Sequence, residues 1–183
     1  MKSNLSRDDI KLVIVSYYEA IKEYGHYLPV EVTDRLNSEL QTIMANHESK
    51  AWCMLWWVWT HSGDLPEYLS STKGFHTSFI AYLFGISECN PLPGELDLHF
   101  NKTSLFDMKR AFKLYCILQD IREMSSSKDW IDDDSLFTLS VALSPFSIEH
   151  GFRTLNCIYD LLSVDRLLGG KLKETKNKER IVE

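Results

Sequence analysis

Ala51-Trp52-Cys53-Met54-Leu55-Trp56-Trp57-Val58-Trp59-Thr60 is the stretch whose reading decides the fold. Trp52, Trp56 and Trp59 stand at i, i+4 and i+7, on one face of a helix. Met54, Leu55, Trp57 and Val58 carry the apolar surface around most of the cylinder. A helix that is apolar nearly all round is a buried one. The run falls far short of the ~20 residues that a membrane span needs. It therefore predicts a core helix from about Ser49 to His61. Stacking of nucleic-acid bases on exposed tryptophans is the competing reading. The aliphatic residues between the rings, at core spacing, favour packing.

Helical periodicity extends outward in both directions. Ser6-Arg7-Asp8-Asp9 has the form of a capping box. Ile10, Val13, Ile14, Tyr17 and Ile21 follow as its expected buried stripe, and Gly25 ends the helix. Pro29 opens a second helix, striped by Val32, Leu36, Leu40 and Ile43. Leu65 to Thr77 reads as a link with one short strand around Tyr68-Leu69. Thr77 or Ser78 opens a short apolar helix that runs to Phe84 and stops at Gly85. Two prolines keep Asn90-Pro91-Leu92-Pro93-Gly94 out of a helix. Ser104-Leu105-Phe106-Asp107 reads as another capping box, opening a helix to about Met124 whose inner face is Leu105, Met108, Phe112 and Tyr115. Asp134 or Ser135 caps a shorter helix to Leu143, and Ser144-Pro145 breaks it. Ser147 is expected to open the last long helix, with Ile148, Phe152, Leu155, Tyr159 and Leu162 in register up to Gly169-Gly170. The predicted fold is mainly α: a single compact helical domain of about seven helices over 1–170, with one short strand or hairpin near 65–72. Residues 171–183 read as a charged flexible tail.

Composition bounds the function. The chain has 183 residues, 44% hydrophobic and 25% charged, as in ordinary soluble proteins. Its net charge of −6 disfavours broad electrostatic binding of DNA. The four cysteines form no C-x-x-C pair, so they read as free thiols of a reducing compartment. The first residues enter a helix pattern directly, and no signal peptide is expected. A cytoplasmic protein without membrane contact follows. The six histidines include no H-E-x-x-H spacing, so no metal site is expected. Asp132-Asp133-Asp134 could hold a hard cation, but reads equally well as an acidic approach to a helix N-terminus.

Three groups of residues, in order, carry a resemblance. They are Arg35-Leu36-Asn37-Ser38-Glu39-Leu40, Ser70-Ser71-Thr72-Lys73-Gly74-Phe75-His76-Thr77-Ser78-Phe79, and Gly85-Ile86-Ser87-Glu88-Cys89-Asn90-Pro91-Leu92-Pro93. The order resembles PolC-type (family C) α subunits of DNA polymerase III. There the pattern reads R-L-E-x-E-L, an apolar helix, the phosphate-binding turn G-S-R-G-S-V-G-S-S-F, and G/E-I-T-E-V-N-P-L-P. The two lie together without a gap over Arg35–Pro93. A fainter likeness reaches back through Lys22-Glu23-Tyr24-Gly25 to Leu28-Pro29, where those enzymes read E-I-Y-G-D-P-L-P. Within the turn the letters that hold a nucleotide differ. Ser70, Lys73 and His76 stand where the pattern has glycines, and Thr72 where it has arginine. Gly74 is displaced by one position.

A phosphate site at a helix start needs free N–H groups and a backbone that can approach closely. Ser71, Lys73, Gly74, Thr77 and Ser78 are the candidate phosphate contacts. A capped helix start after a serine-rich loop explains the same residues without a ligand. Glu95 and Asp97 are the candidate catalytic acids, since alternating carboxylates on a strand share a face and could bridge two Mg²⁺ ions. Their surroundings, Glu95-Leu96-Asp97-Leu98-His99-Phe100, resemble the P-D-I-D-L-N-F motif. The same letters also fit the D-P-L-x-x-D-L-L-F segment of related replicative polymerases, which holds no catalytic acid. The zinc-binding insertion that precedes P-D-I-D-L-N-F in those enzymes has no counterpart here.

The resemblance therefore implies a catalytically inactive small relative of a replicative polymerase α subunit, binding a replication protein or DNA, with no cofactor. One alternative is a helical interaction module, such as an immunity or regulatory protein of a mobile element. Another is a residual nucleotidyltransferase of the DNA-directed DNA polymerase kind, which would need Mg²⁺.

Overall fold

The structure is a computed structural model, and it describes residues 5–61, 69–70, 73–92, 104–124 and 131–148. Six helices dominate these residues: α1 (Arg7–Tyr24), α2 (Val30–Ala45), α3 (Ser49–His61), α4 (Phe79–Leu83), α5 (Met108–Met124) and α6 (Asp133–Leu143). A 3₁₀ turn, Lys73–Thr77, precedes α4. Two short strands, β1 (Leu69–Ser70) and β2 (Ser147–Ile148), pair antiparallel, Leu69 opposite Ile148 and Ser70 opposite Ser147. The fold is mainly α, as the periodicity predicts.

α3 is the hub. Its Ala51, Trp52, Cys53, Leu55 and Val58 are buried, and it packs against both α1 and α6. Trp52 is wholly buried, with the rings of Phe75, Phe84 and Phe106 edge-on at 5.8, 6.4 and 6.1 Å. Edge-to-face packing sets the positive rim of one ring against the negative face of another. Trp56 and Trp59 are only partly buried. The Trp56 indole donates to Glu19 at 2.9 Å, and Trp59 tilts against Phe146 at 5.0 Å. The inward stripe of α3 is thus centred on Trp52, Leu55 and Val58.

The capping box of α1 is present. The Ser6 N–H donates to the Asp9 carboxylate at 2.8 Å, and the Asp9 N–H donates to the Ser6 hydroxyl at 3.1 Å. The expected buried stripe needs correction. Leu12, Val15, Ser16, Glu19 and Ala20 face the core, whereas Ile10 and Ile14 point outward. Ser16 and Glu19 lie on the inner face, and their polarity masks it in the sequence. Gly25 closes the helix with φ +85°, and its N–H donates to the Ile21 carbonyl.

α2 follows Pro29 and buries Val32, Leu36, Glu39, Leu40 and Ile43. It ends in a left-handed residue, His47 at φ +59°. There the His47 N–H reaches the Met44 carbonyl and the Glu48 N–H reaches that of Ile43. This closes the helix in the way a glycine usually would.

The α5 boundary and face also differ from expectation. Asp107, not Ser104, caps the helix: its carboxylate accepts from the N–H groups of Lys109 and Arg110. Ser104 forms a separate local turn, accepting from the Phe106 N–H. The inward face is Ala111, Leu114 and Leu118, while Met108 and Phe112 are exposed. α6 takes its cap from Asp132, whose side chain accepts from the Ser135 N–H, two residues before the earliest expected cap.

Near 65–72 the strand occurs at Leu69–Ser70, but its partner is the distant Ser147–Ile148 rather than a hairpin neighbour. Ser147 is therefore in a strand and does not open a helix. The rest of that expected helix, and the charged tail at 171–183, lie outside the described residues. No helix among the described residues is long and apolar enough to cross a membrane.

Candidate functional site

Glu39 organises the segment that the sequence marks as a phosphate turn. It sits on the core stripe of α2, between Leu36 and Leu40 on one side and Ile43 on the other, and is fully buried. Its carboxylate reaches the start of α4. One oxygen accepts from the Phe79 N–H at 2.7 Å and from the Arg35 guanidinium at 2.8 Å. The other accepts from the Ser78 hydroxyl at 2.9 Å and the Ile80 N–H at 3.2 Å. Four donors thus converge on one carboxylate. Burial pushes the Glu39 carboxyl above its ordinary range, against the pull of Phe79, Arg35, Ile80 and Ser78.

The donors at the start of α4 can be accounted for completely. The N–H groups of Phe79 and Ile80 go to Glu39, that of Ala81 to the Ser78 hydroxyl at 3.1 Å, and that of Tyr82 to the Ser78 carbonyl. A helix N-terminus binds an anion through the N–H groups it leaves unpaired. Here the chain supplies its own anion, and every one of those groups is spoken for. Arg35 closes the arrangement from behind, donating to the Thr77 carbonyl at 2.6 Å.

The candidate phosphate contacts divide accordingly. Ser78 is buried and uses its hydroxyl twice, as donor to Glu39 and as acceptor from Ala81. The Thr77 hydroxyl donates to the Gly74 carbonyl at 3.0 Å, which holds the 3₁₀ turn. Gly74 and Lys73 lie in that turn. Ser71, Glu95 and Asp97 lie outside the described residues. The structure thus brings Gly74, Thr77 and Ser78 together, around a glutamate and an arginine to which sequence reasoning assigned no role. A signal for them existed. An acid at i+3 from Leu36 and i−4 from Ile43 falls in the apolar stripe of a helix, where a charge must find partners.

The other candidate polar groups serve the scaffold. Asp132 caps α6, Asp133 pairs with Arg122 at 2.6 Å, and Asp134 pairs with Lys50. His26, His47 and His76 are exposed, and His61 stacks on Trp57 at 5.5 Å. No group of three His, Cys, Asp or Glu side chains among the described residues could hold a metal ion. Beyond the turn, Asn90 ties the proline segment to α1, its amide donating to the Tyr24 hydroxyl at 2.9 Å. Tyr82 of α4 donates to Glu23 of α1 at 2.8 Å. The three sequence groups of the resemblance are thus linked by contacts: Arg35 and Glu39 hold Thr77 and Phe79, and α1 holds Tyr82 and Asn90.

Comparison with known proteins agrees with the residue-level likeness. The chain is 36% identical over 92 residues to the PolC-type DNA polymerase III of Staphylococcus epidermidis. It is 35% identical over 92 residues to that of Staphylococcus aureus, and 34% over 89 residues to that of Pediococcus pentosaceus. No protein-family model matches the chain, and no solved structure does. Each match takes in about half of this chain, 50% or 48%, and only 6% of the relative's length. Over about half its length, then, this chain is similar to one short stretch of PolC-type DNA polymerase III, a far larger protein.

Proposed function

We propose that the chain is a non-catalytic relative of PolC-type DNA polymerase III that acts as a binding module in replication, with primer–template DNA or a replication protein as its partner. The observation that carries the non-catalytic half is the turn itself, where Ser70, Lys73 and His76 stand in place of glycines and Thr72 in place of arginine. Side chains at the former glycine positions oppose the close backbone approach that phosphate cradling needs.

Support for the binding half comes from the outer face of α5. Met108 and Phe112 are exposed, Phe112 by 64%, on an otherwise acidic chain. Lys109 and Lys113 follow them in the helix and are exposed as well. Cations beside an exposed ring suit phosphates and stacked bases, or the acidic rim of a protein partner.

The test has two arms. Purified chain is given primer–template, dNTPs and Mg²⁺, and no extension is expected; robust Mg²⁺-dependent extension overturns the non-catalytic reading and returns Glu95 and Asp97 to consideration. Labelled primer–template and purified replisome subunits are then titrated against the wild type and Phe112→Ser. Binding that the substitution weakens supports the module, and no binding to either class overturns it.

A further inference from the structure

A groove lies away from the turn. Residues of α1, α3 and α6 line it, and its volume is about 320 Å³. That volume is at the low end of the ~300–1,000 Å³ typical of ligand sites, and fits a metabolite better than a large cofactor. Met54 and Trp57 of α3, Leu139 of α6 and Ile131 form its apolar part. Asp8, Lys11, Lys50 and Asp132 also line it, two charges of each sign.

The commitments of these polar groups differ. The Asp132 carboxylate is taken up by the N–H and hydroxyl of Ser135. Lys50 pairs with Asp134 but keeps ammonium protons to spare. The Thr138 hydroxyl donates to the Asp134 carbonyl. Cys53 donates weakly to the Asp8 carbonyl, and burial pushes its thiol up to about 12, so it is no nucleophile. Among the described residues, no hydrogen bond or ion pair engages the Asp8 carboxylate or the Lys11 ammonium. Two opposite charges, both unspent, therefore sit one helical turn apart at the rim of an apolar groove.

We propose that this groove binds a free apolar α-amino acid. The ligand ammonium meets Asp8, its carboxylate meets Lys11 with help from Lys50, and its side chain lies on Met54, Trp57 and Leu139. A balanced lining favours neither an anion nor a cation alone, because either would leave one rim charge facing a like or absent partner. A zwitterion matches both. This assignment is independent of the reading of the α4 turn and of the α5 face.

L-phenylalanine is the probe, with phenethylamine and 3-phenylpropionate as analogues that each lack one charge. The readouts are the Trp57 indole N–H and Met54 methyl signals in NMR titrations of the full chain. Saturable shifts with phenylalanine are expected, and each analogue should bind about tenfold more weakly or worse, the scale of one charge-assisted contact. Asp8→Asn and Lys11→Gln should each weaken phenylalanine by a similar factor. Both positions are at the surface, and unchanged melting of the variants keeps the comparison valid. Equal shifts with all three compounds would reduce the groove to an apolar patch. No saturable shift up to about 10 mM, far above the ~1 mM end of weak specific binding, overturns the proposal outright.

Discussion

Replacing Glu39 by alanine is the most demanding perturbation of this structure. The substitution removes the acceptor of four hydrogen bonds at once: those from Phe79, Ile80, Ser78 and Arg35. It also leaves a guanidinium with only 23% of its side chain exposed facing a cavity. Removing one partner of a buried ion pair costs about 3–5 kcal/mol, because the survivor keeps its desolvation penalty. With a urea slope of about 2 kcal/mol per molar, that range is a midpoint shift of about 1.5–2.5 M. Tryptophan fluorescence reports the transition directly, since Trp52 packs on the rings of Phe75, within the turn, and Phe84, at the end of α4. Glu39→Gln keeps the shape and one acceptor oxygen and should lose about 1–3 kcal/mol, so it remains measurable if the alanine variant fails to fold.

A second readout separates this reasoning from simple loss of packing. The alanine variant exposes a vacant anion position with its donors in place. Sodium acetate should then stabilise Glu39→Ala more than sodium chloride does at equal ionic strength, while the wild type shows no such difference. A midpoint shift below about 0.25 M at an unchanged slope, worth roughly 0.5 kcal/mol, would refute the account, because surface substitutions alone reach that size. So would acetate acting equally on both proteins.

Two further expectations follow from the core and the caps. Trp52→Ala should cost about 3–5 kcal/mol, whereas Trp57→Ala, at a partly exposed site, should cost distinctly less; equal losses in urea titrations would contradict the placement of the α3 stripe. The Asp9 carboxyl is held below its ordinary value of 3.8, chiefly by the Ser49 hydroxyl and also by Ser6. A depressed carboxyl adds stability that is fully present above its unfolded value and is lost as pH falls through the folded one. Asp9→Asn should therefore cost about 0.5–2 kcal/mol at pH 7, the usual worth of a cap, and progressively less below pH ~3.8. A gap that persists unchanged at the lowest pH at which the protein stays folded would rule this out.

Helix positions were legible where periodic apolar residues and caps coincide. Ser49–His61, the Ser6 capping box and the Gly25 stop all stand as read. Which face turns inward was harder to see on α1 and α5, for a physical reason. On α1 the inner face carries Ser16 and Glu19, and the outer one carries Ile10 and Ile14, so hydrophobicity alone picks the wrong side. Glu19 is tolerated inside because the Trp56 indole and Lys22 satisfy it, at 2.9 and 2.7 Å. On α5 the inner face is made of smaller residues, Ala111 and Leu114 with Leu118, while the larger Met108 and Phe112 lie outside. The pairing of Leu69 with Ile148 could not be read locally, since it joins segments far apart in the chain.

The site shows the same contrast more sharply. The turn residues Gly74, Thr77 and Ser78 were legible because their letters are those of turns and caps. What they hold was not, because the decisive contact comes from a residue about forty positions earlier, on α2, with the whole of α3 between them in the chain. Arg35 and Glu39 are also two of the letters shared with the R-L-E-x-E-L pattern, and the structure gives that spacing a meaning. Four residues along a helix put both side chains on one face, so the arginine can neutralise the glutamate while the glutamate caps α4. The shared letters thus fix the back of the turn, where the chain binds itself. The glycines of the pattern belong to its front, where a ligand would approach, and there this chain carries Ser70, Lys73 and His76 instead. A turn can keep its internal clamp and its helix while losing the open backbone that phosphate needs, since the two depend on different residues. The same separation explains why the Glu39 substitution is expected to act on stability, and why substitution back to glycine at Lys73 and His76 alone would leave the α4 donors as fully occupied as before.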